Sequence, residues 1–182
     1  MSIILILVIV IGLVAALYDF MFYKIPNILV LLLCMLAIPY LVFFAPSGTV
    51  ILTLGISFAL LTIGFVCNYF GWMGAGDAKL LSAASLWIAP HHIPAMILVM
   101  ALLGGFLALV FITLSPAIDT LRTKLITGTR PIMSRVPILT DYYNADFVPA
   151  YAQEKLKTPI PYGIAIALSL AYICLINIGA LS

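Results

Sequence analysis

Sparse polar punctuation divides the chain into long apolar runs. No charge falls in the 17 residues from Ser2 to Tyr18, the 52 from Ile25 to Gly76, the 39 from Leu80 to Ile118 or the 24 from Pro159 to Ser182. A helix crosses the hydrocarbon core of a bilayer with about 20 apolar residues, within a range of about 17–25. The second run is long enough for two crossings, with Pro46-Ser47-Gly48 as their turn. The third breaks at Pro90-His91-His92 into a short segment and a fuller one, Ile93 to Leu114. The pattern predicts an all-α polytopic membrane protein with about six transmembrane helices, a single membrane-embedded domain over 1–182. Span 4 must borrow from the residues before Leu80, because Leu80 to Ala89 is too short by itself. No Lys or Arg precedes the first run, which stops at Tyr18-Asp19, so it reads as a span and not as a cleaved signal peptide.

Composition agrees with the pattern. Hydrophobic residues make up 65% of the chain and charged ones 8%, against about 45–50% and about 25% in ordinary soluble domains. That excludes a solvated globule, a disordered chain and a nucleic-acid-binding surface. None of the three cysteines forms a Cys-x-x-Cys pair, so neither a zinc site nor a disulfide framework is indicated. Position matters more than number among the basic residues. Lys24, Lys79, Arg122, Lys124, Arg130, Arg135, Lys155 and Lys157 all fall in the loops 19–24, 70–79 and 115–158, on one side of the six-span topology. By the positive-inside rule that side is cytoplasmic, and both termini are extracytoplasmic.

Four of the six acidic residues (Asp119, Asp141, Asp146 and Glu154) lie in the long 115–158 loop and read as solvated charges. Asp19 and Asp77 differ, since each abuts an apolar span, where an ionised carboxylate is expensive. Asp19 closes span 1, Asp77 opens span 4, and the topology places both at the cytoplasmic face. Two such carboxylates meeting across a helix interface share one proton. The charged member then takes a proton from water while the neutral one polarises a scissile carbonyl. The alternative is a pair of separate boundary charges balancing Lys24 and Lys79. Gly71, Gly74 and Gly76, just before Asp77, favour the first reading, because glycine permits backbone angles and close approaches that a Cβ forbids. Helix-end fields favour a neutral Asp19, at a helix C-terminus, and an ionised Asp77, at a helix N-terminus.

The remaining features are more modest. Ile118, Leu121, Leu125 and Ile126 predict one apolar face of an interfacial amphipathic helix in the 115–158 loop, with Arg122 and Lys124 elsewhere and Gly128 as its stop. Tyr142, Tyr143, Phe147 and Tyr151 suit the headgroup level beyond it, where the basic residues hold the loop against anionic lipid. Asn27, after Pro26, is placed to cap span 2. Lys79 reads as an interface anchor, pointing away from Asp77. Ala101, Gly104, Gly105 and Ala108 form a small-residue packing stripe. Two histidines at a turn without a third ligand nearby make His91-His92 a poor metal site.

Three motifs resemble those of type IV prepilin peptidases. Gly74-Ala75-Gly76-Asp77-Ala78-Lys79-Leu80 matches that family's G-x-G-D-x-K-[LF]. Asp19 with Lys24-Ile25-Pro26-Asn27 is similar to its first aspartate and downstream I-P-N, and Pro161-Tyr162-Gly163 to its P-Y-G. The resemblance implies a bacterial inner-membrane aspartic endopeptidase that removes the leader of pilin precursors at the cytoplasmic face, without metal or organic cofactor. It makes Asp19 and Asp77 the catalytic pair, with Gly74, Gly76, Lys79, Pro26, Asn27, Pro161, Tyr162 and Gly163 shaping the site. Prepilins, membrane lipid and the pilus assembly machinery are the implied partners, and nucleic acid is not. Larger members carry paired Cys-x-x-Cys motifs and also N-methylate the product. Cys34, Cys67 and Cys174 are isolated, so the chain is similar to the compact, peptidase-only branch associated with Flp (tight-adherence) pili.

Two rivals stand beside this reading. Presenilin-type proteases share Tyr-Asp and Gly-x-Gly-Asp, but have more spans and a Pro-Ala-Leu where this chain has Pro161-Tyr162-Gly163. A small proton-coupled transporter or assembly subunit would place its acids nearer mid-membrane, on broken helices, without a glycine cluster.

Overall fold

The computed structural model describes residues 2–46, 48–133 and 160–179. Tyr142, Tyr143, Phe147, Tyr151 and most of the 115–158 loop lie outside these. All regular structure among the described residues is helical: α1 (Ser2–Phe22), α2 (Asn27–Phe43), α3 (Val50–Tyr69), α4 (Ala75–Ser85), α5 (Ile93–Thr113), α6 (Ser115–Met133) and α7 (Tyr162–Gly179), with a single 3-10 turn at Pro90–His92. Stretches of α1, α3 and α5 (the last with the 3-10 turn before it) are long and apolar enough to cross a membrane, and α2 and α7 contain shorter apolar helices.

The fourth span departs from expectation. It borrows Ala75 to Lys79 before Leu80, as expected, but ends at Ser85 after 11 residues, about 16 Å at 1.5 Å per residue. That is roughly half of a hydrocarbon core. Leu86 to Ala89 continue in turns to Pro90, which places the Pro90-His91 turn against the α2–α3 turn around Pro46 and Thr49. The two uncharged turns therefore share one end of the bundle. Lys79 and Asn27 meet at the other end, where the Lys79 ammonium donates to Asn27 Oδ1 at 3.2 Å.

A half-length helix is tolerated in an apolar bundle only when other helices surround it. Seven of its residues from Ala78 onward, Lys79 aside, are buried, packed between α2, α3 and α7. α7 in turn packs on α1, α4 and α5. Just beyond α4, Trp87 is wholly buried, donates through Nε1 to the Leu33 carbonyl at 3.2 Å, and lies 5.0 Å from the Tyr40 ring. Polarity is inverted across α3. Its buried residues are Thr53, Ser57 and Gly64, while Ile51, Phe58 and Ile63 face outward. Lipid supplies no hydrophobic force between helices, so close packing and hydrogen bonds join them. Ser57 Oγ donates to the Ser82 carbonyl at 2.9 Å, and Ser82 Oγ returns a bond to the Ser57 carbonyl at 3.0 Å.

Closer to the basic end the same two helices touch at Gly64, where an added Cβ would lie 2.6 Å from Ala78 Cβ and 3.0 Å from Ala78 Cα. Both are atoms of rigid groups, so the helices would have to part. Gly64→Ala is expected to lower unfolding stability in detergent by about 1–3 kcal/mol. Gly55→Ala, whose new Cβ meets nothing within 4 Å, serves as the control. An equal unfolding midpoint for the two variants would refute this contact.

α6 corrects two expectations, the stop at Gly128 and the outward placing of Arg122. It runs through Gly128 to Met133. Leu121 and Leu125 are exposed, and the half-buried face is Ile118, Arg122, Ile126 and Thr129. Arg122 therefore faces the bundle. Its Nε donates to the Met21 carbonyl at 2.7 Å, and its guanidinium sits 4.1 Å from the Tyr23 ring centroid. This cation meets the negative end of α1, where Tyr23 takes φ +51° and its N–H closes the last turn onto the Asp19 carbonyl at 2.8 Å. Ile126 adds apolar contact with the Tyr18, Met21 and Phe22 cluster.

Candidate functional site

α1 carries Asp19 in its last turn, four residues before Tyr23. α4 carries Asp77 at its third position, after a connection whose geometry depends on one residue. Gly71 takes φ +73°, its N–H reaches the Asn68 carbonyl and the Trp72 N–H reaches the Cys67 carbonyl, each at 2.9 Å. That is the left-handed glycine cap of a helix C-terminus. Asn68 Nδ2 then holds the Met73 carbonyl at 2.8 Å, delivering Gly74, in extended conformation, as the N-cap of α4.

The Asp77 carboxylate turns back toward Gly74, as a third-position acid does near a helix N-cap. A Cβ on Gly74 would stand 2.9 Å from Asp77 Oδ2. At Gly76 a Cβ would stand 3.3 Å from Ile25 Cβ, so this glycine lets the Ile25-Pro26-Asn27 segment lie against α4. Asn27 does not cap α2. The N-cap is Pro26 and no side chain caps the helix, and the Asn27 amide oxygen takes the Lys79 ammonium instead. The two motifs are thus stitched together across the α2–α4 interface.

Asp19 and Asp77 come together. They are 5% and 8% exposed, and Asp77 lies close enough for its charge to act on Asp19. Between them sits the start of α7. The Gly163 N–H donates to Asp19 Oδ2 at 2.8 Å and also acts on the Asp77 carboxylate. Gly163 is the second residue of α7, so its N–H is one of the first-turn donors that no intrahelical carbonyl satisfies. A Cβ there would lie 2.7 Å from Asp19 Oδ2 and 3.0 Å from Asp19 Cβ. The N-terminus of α7 therefore points an N–H group at one of two buried carboxylates, and the first turn of α4 carries the other. Asp77 Oδ1 is buried and has no hydrogen-bond partner among the described residues. It is an acceptor that the fold itself does not use.

Pro161 is buried beside the pair and precedes the first turn of α7. Tyr162 lies with its ring on α5, where a Cβ on Gly104 would meet Tyr162 Cε1 at 3.1 Å. Of the small-residue stripe on α5, Gly104 serves this packing, while Gly105 has nothing within 4 Å of an added Cβ. The two aspartates and the three motifs stand out in the sequence, and the structure brings Asp19 to Gly163 and Asn27 to Lys79. Reasoning from sequence gave no role to Gly64, and it set Arg122 away from the apolar face of its helix. Small residues facing one another across two helices, and a basic residue in register with Ile118 and Ile126, are the signals that point to them.

No curated protein matches the chain, and no solved structure does. The type IV leader peptidase family matches residues 6–109, a stretch that holds Asp19, the Ile25-Pro26-Asn27 segment and the whole of Gly74 to Lys79. It ends before α7, so the place of Gly163 rests on geometry. With more than half of its length matched and with helices apolar enough to span a bilayer, the chain is an integral membrane protein of the type IV leader peptidase family.

Proposed function

We propose that the protein is an aspartic endopeptidase that removes the N-terminal leader of Flp-like type IV prepilins at the cytoplasmic face of the bacterial inner membrane, using Asp19 and Asp77. The observation that carries this reading is the convergence of the two buried carboxylates on the Gly163 N–H, from helices whose motifs belong to a leader-peptidase family. Two adjacent carboxylates hold one proton between them. We place that proton on Asp19, at the C-terminal end of α1, with Asp77 ionised.

In the proposed cycle, Asp77 Oδ1, the acceptor left over by the fold, takes a proton from water as the water oxygen attacks the scissile carbonyl. Asp19 donates its proton to the carbonyl oxygen, giving a neutral gem-diol. Collapse of that diol breaks the C–N bond as Asp77 gives its proton to the amine nitrogen and a diol hydroxyl gives its proton to Asp19, so the pair again holds one proton. The depth suits the substrate. A prepilin has a charged leader before an apolar segment, so its cut lies at a membrane interface, where water arrives without crossing hydrocarbon. All the basic residues fall on the same side of the topology as the aspartates, which supports a cytoplasmic location for that interface. The isolated cysteines support the peptidase-only branch, without N-methylation.

The test is leader removal from a candidate Flp-type prepilin by the purified protein in liposomes. The expected result is a mature pilin with an unmodified N-terminus, at a rate that chelator leaves unchanged. Absence of cleavage across a set of prepilins would refute the proposal and revive the transporter reading, which the half-length α4 otherwise resembles.

A further inference from the structure

α1 closes in an unusual way. Tyr23, the residue after its last turn, takes φ +51°, and among the described residues it is the one non-glycine with a positive φ. Helices commonly end on a left-handed residue, but that place favours glycine, because a Cβ is crowded there. We infer that Arg122 is a positioning residue for Asp19: it holds this turn closed, and so fixes where Asp19 stands against the segment that packs beside Asp77. This role rests on the leader-peptidase reading. It adds to that site a residue of α6, beyond the 6–109 stretch that the family matches.

The turn stands between the two aspartates along the chain. Its N–H bond from Tyr23 to the Asp19 carbonyl, at 2.8 Å, closes the turn that carries the Asp19 side chain. Two residues further on, Ile25 lies against Gly76, where an added Cβ would come within 3.3 Å of Ile25 Cβ, and Gly76 directly precedes Asp77. A change at Tyr23 therefore moves Asp19 relative to the neighbour of Asp77. Such a turn needs outside support. A strained backbone angle persists only where its surroundings impose it, and the last turn of a helix otherwise frays. Arg122 supplies that support twice. Its Nε donates to the Met21 carbonyl at 2.7 Å, among the last α1 carbonyls, which a helix leaves without intrahelical partners. Its guanidinium lies 4.1 Å from the Tyr23 ring centroid, within cation–π range. One side chain thus grips the turn by its backbone and by the ring of its left-handed residue, and its charge suits the negative end of α1. Ile126, one turn along α6, packs with Tyr18, Met21 and Phe22 and keeps α6 at this end. The Asp19 carboxylate is held separately, by the Gly163 N–H at 2.8 Å. Its backbone and its side chain are therefore fixed by two different helices, α6 and α7.

The experiment uses the full chain in liposomes with a prepilin. Arg122→Met keeps the bulk of the stem and loses both contacts, and kcat is expected to fall about tenfold or more. In Arg122→Lys the ammonium reaches the place of the guanidinium carbon, and kcat should stay within about threefold of wild type. Arg122→Gln, the milder loss, puts an uncharged N–H at the position of Nε and should fall between them. The deciding variant is Tyr23→Gly introduced into Arg122→Met protein. Glycine takes the left-handed angle without steric cost, so kcat should return to within about threefold of wild type. Removing a further side chain would not repair a mere packing defect. Hydrogen–deuterium exchange at the Tyr23 amide reads the turn directly, and should run about tenfold faster or more in Arg122→Met and slow again in Arg122→Lys. Wild-type kcat in Arg122→Met, or a loss that Tyr23→Gly leaves unrepaired, would overturn the positioning role and leave the peptidase standing. Failure of the wild-type protein to cleave any prepilin would remove the peptidase reading and the positioning role together.

Discussion

Asn in place of Asp19 or of Asp77 leaves a folded protein that has lost leader removal, with kcat down by at least about 10³-fold. Asn at position 19 keeps an oxygen for the Gly163 N–H, so that hydrogen bond survives. The proton that the pair shares does not. Neither amide can take a proton from water or give one to a carbonyl oxygen at the required step. Because the two act as a unit, the double variant should be no slower than either single one. Independent contributions would multiply instead, and a product of two losses would argue against a shared site. Stability separates this from a structural role. Two buried carboxylates repel one another and are costly to desolvate, so each Asn variant should unfold at or above the wild-type midpoint. A fall in the midpoint that tracks the loss of activity would mean the aspartates hold the fold and do no chemistry.

Much of this site was legible because its chemistry is rare in its setting. In a chain with so little charge, an acid beside an apolar span stands out, and only Asp19 and Asp77 were of that kind. The glycine cluster also read correctly, since Gly71 takes the left-handed turn and Gly74 admits the carboxylate. The length of α4 was not legible. Apolar content sets whether a segment tolerates lipid, whereas helix termination near Ser85 depends on tertiary contacts, with Trp87 reaching back to Leu33 and the Pro90 turn settling against Pro46 and Thr49. Asn27 misled for a related reason. Capping preference is local, but a cation on the facing helix competes for the same amide oxygen, and Lys79 won it. On α6 the apolar residues were assigned by periodicity alone, which cannot show that a guanidinium facing inward gains the carbonyl end of α1 and the Tyr23 ring.

Gly163 carries the second large effect, because it tests the arrangement without altering either carboxylate. Gly163→Ala would put a methyl carbon 2.7 Å from Asp19 Oδ2 and 3.0 Å from Asp19 Cβ and Cγ. No rotation of the Asp19 side chain clears its own Cβ, so either α7 retreats from α1 or the carboxylate leaves the N–H that orients it. A displacement of about 1 Å in a catalytic group costs on the order of 10²-fold. The expected result is a drop of that size in kcat. Gly105→Ala is the matched control on the neighbouring helix, where a Cβ meets nothing within 4 Å, and it should cleave at the wild-type rate. The comparison decides between two accounts of the last motif. If Pro161-Tyr162-Gly163 merely begins a helix, alanine at its end is favourable, because it is a better helix former than glycine by about 1 kcal/mol, and activity would be unchanged. If the motif aims an N–H at a pair of acids, the same change raises helix propensity and still disables the enzyme.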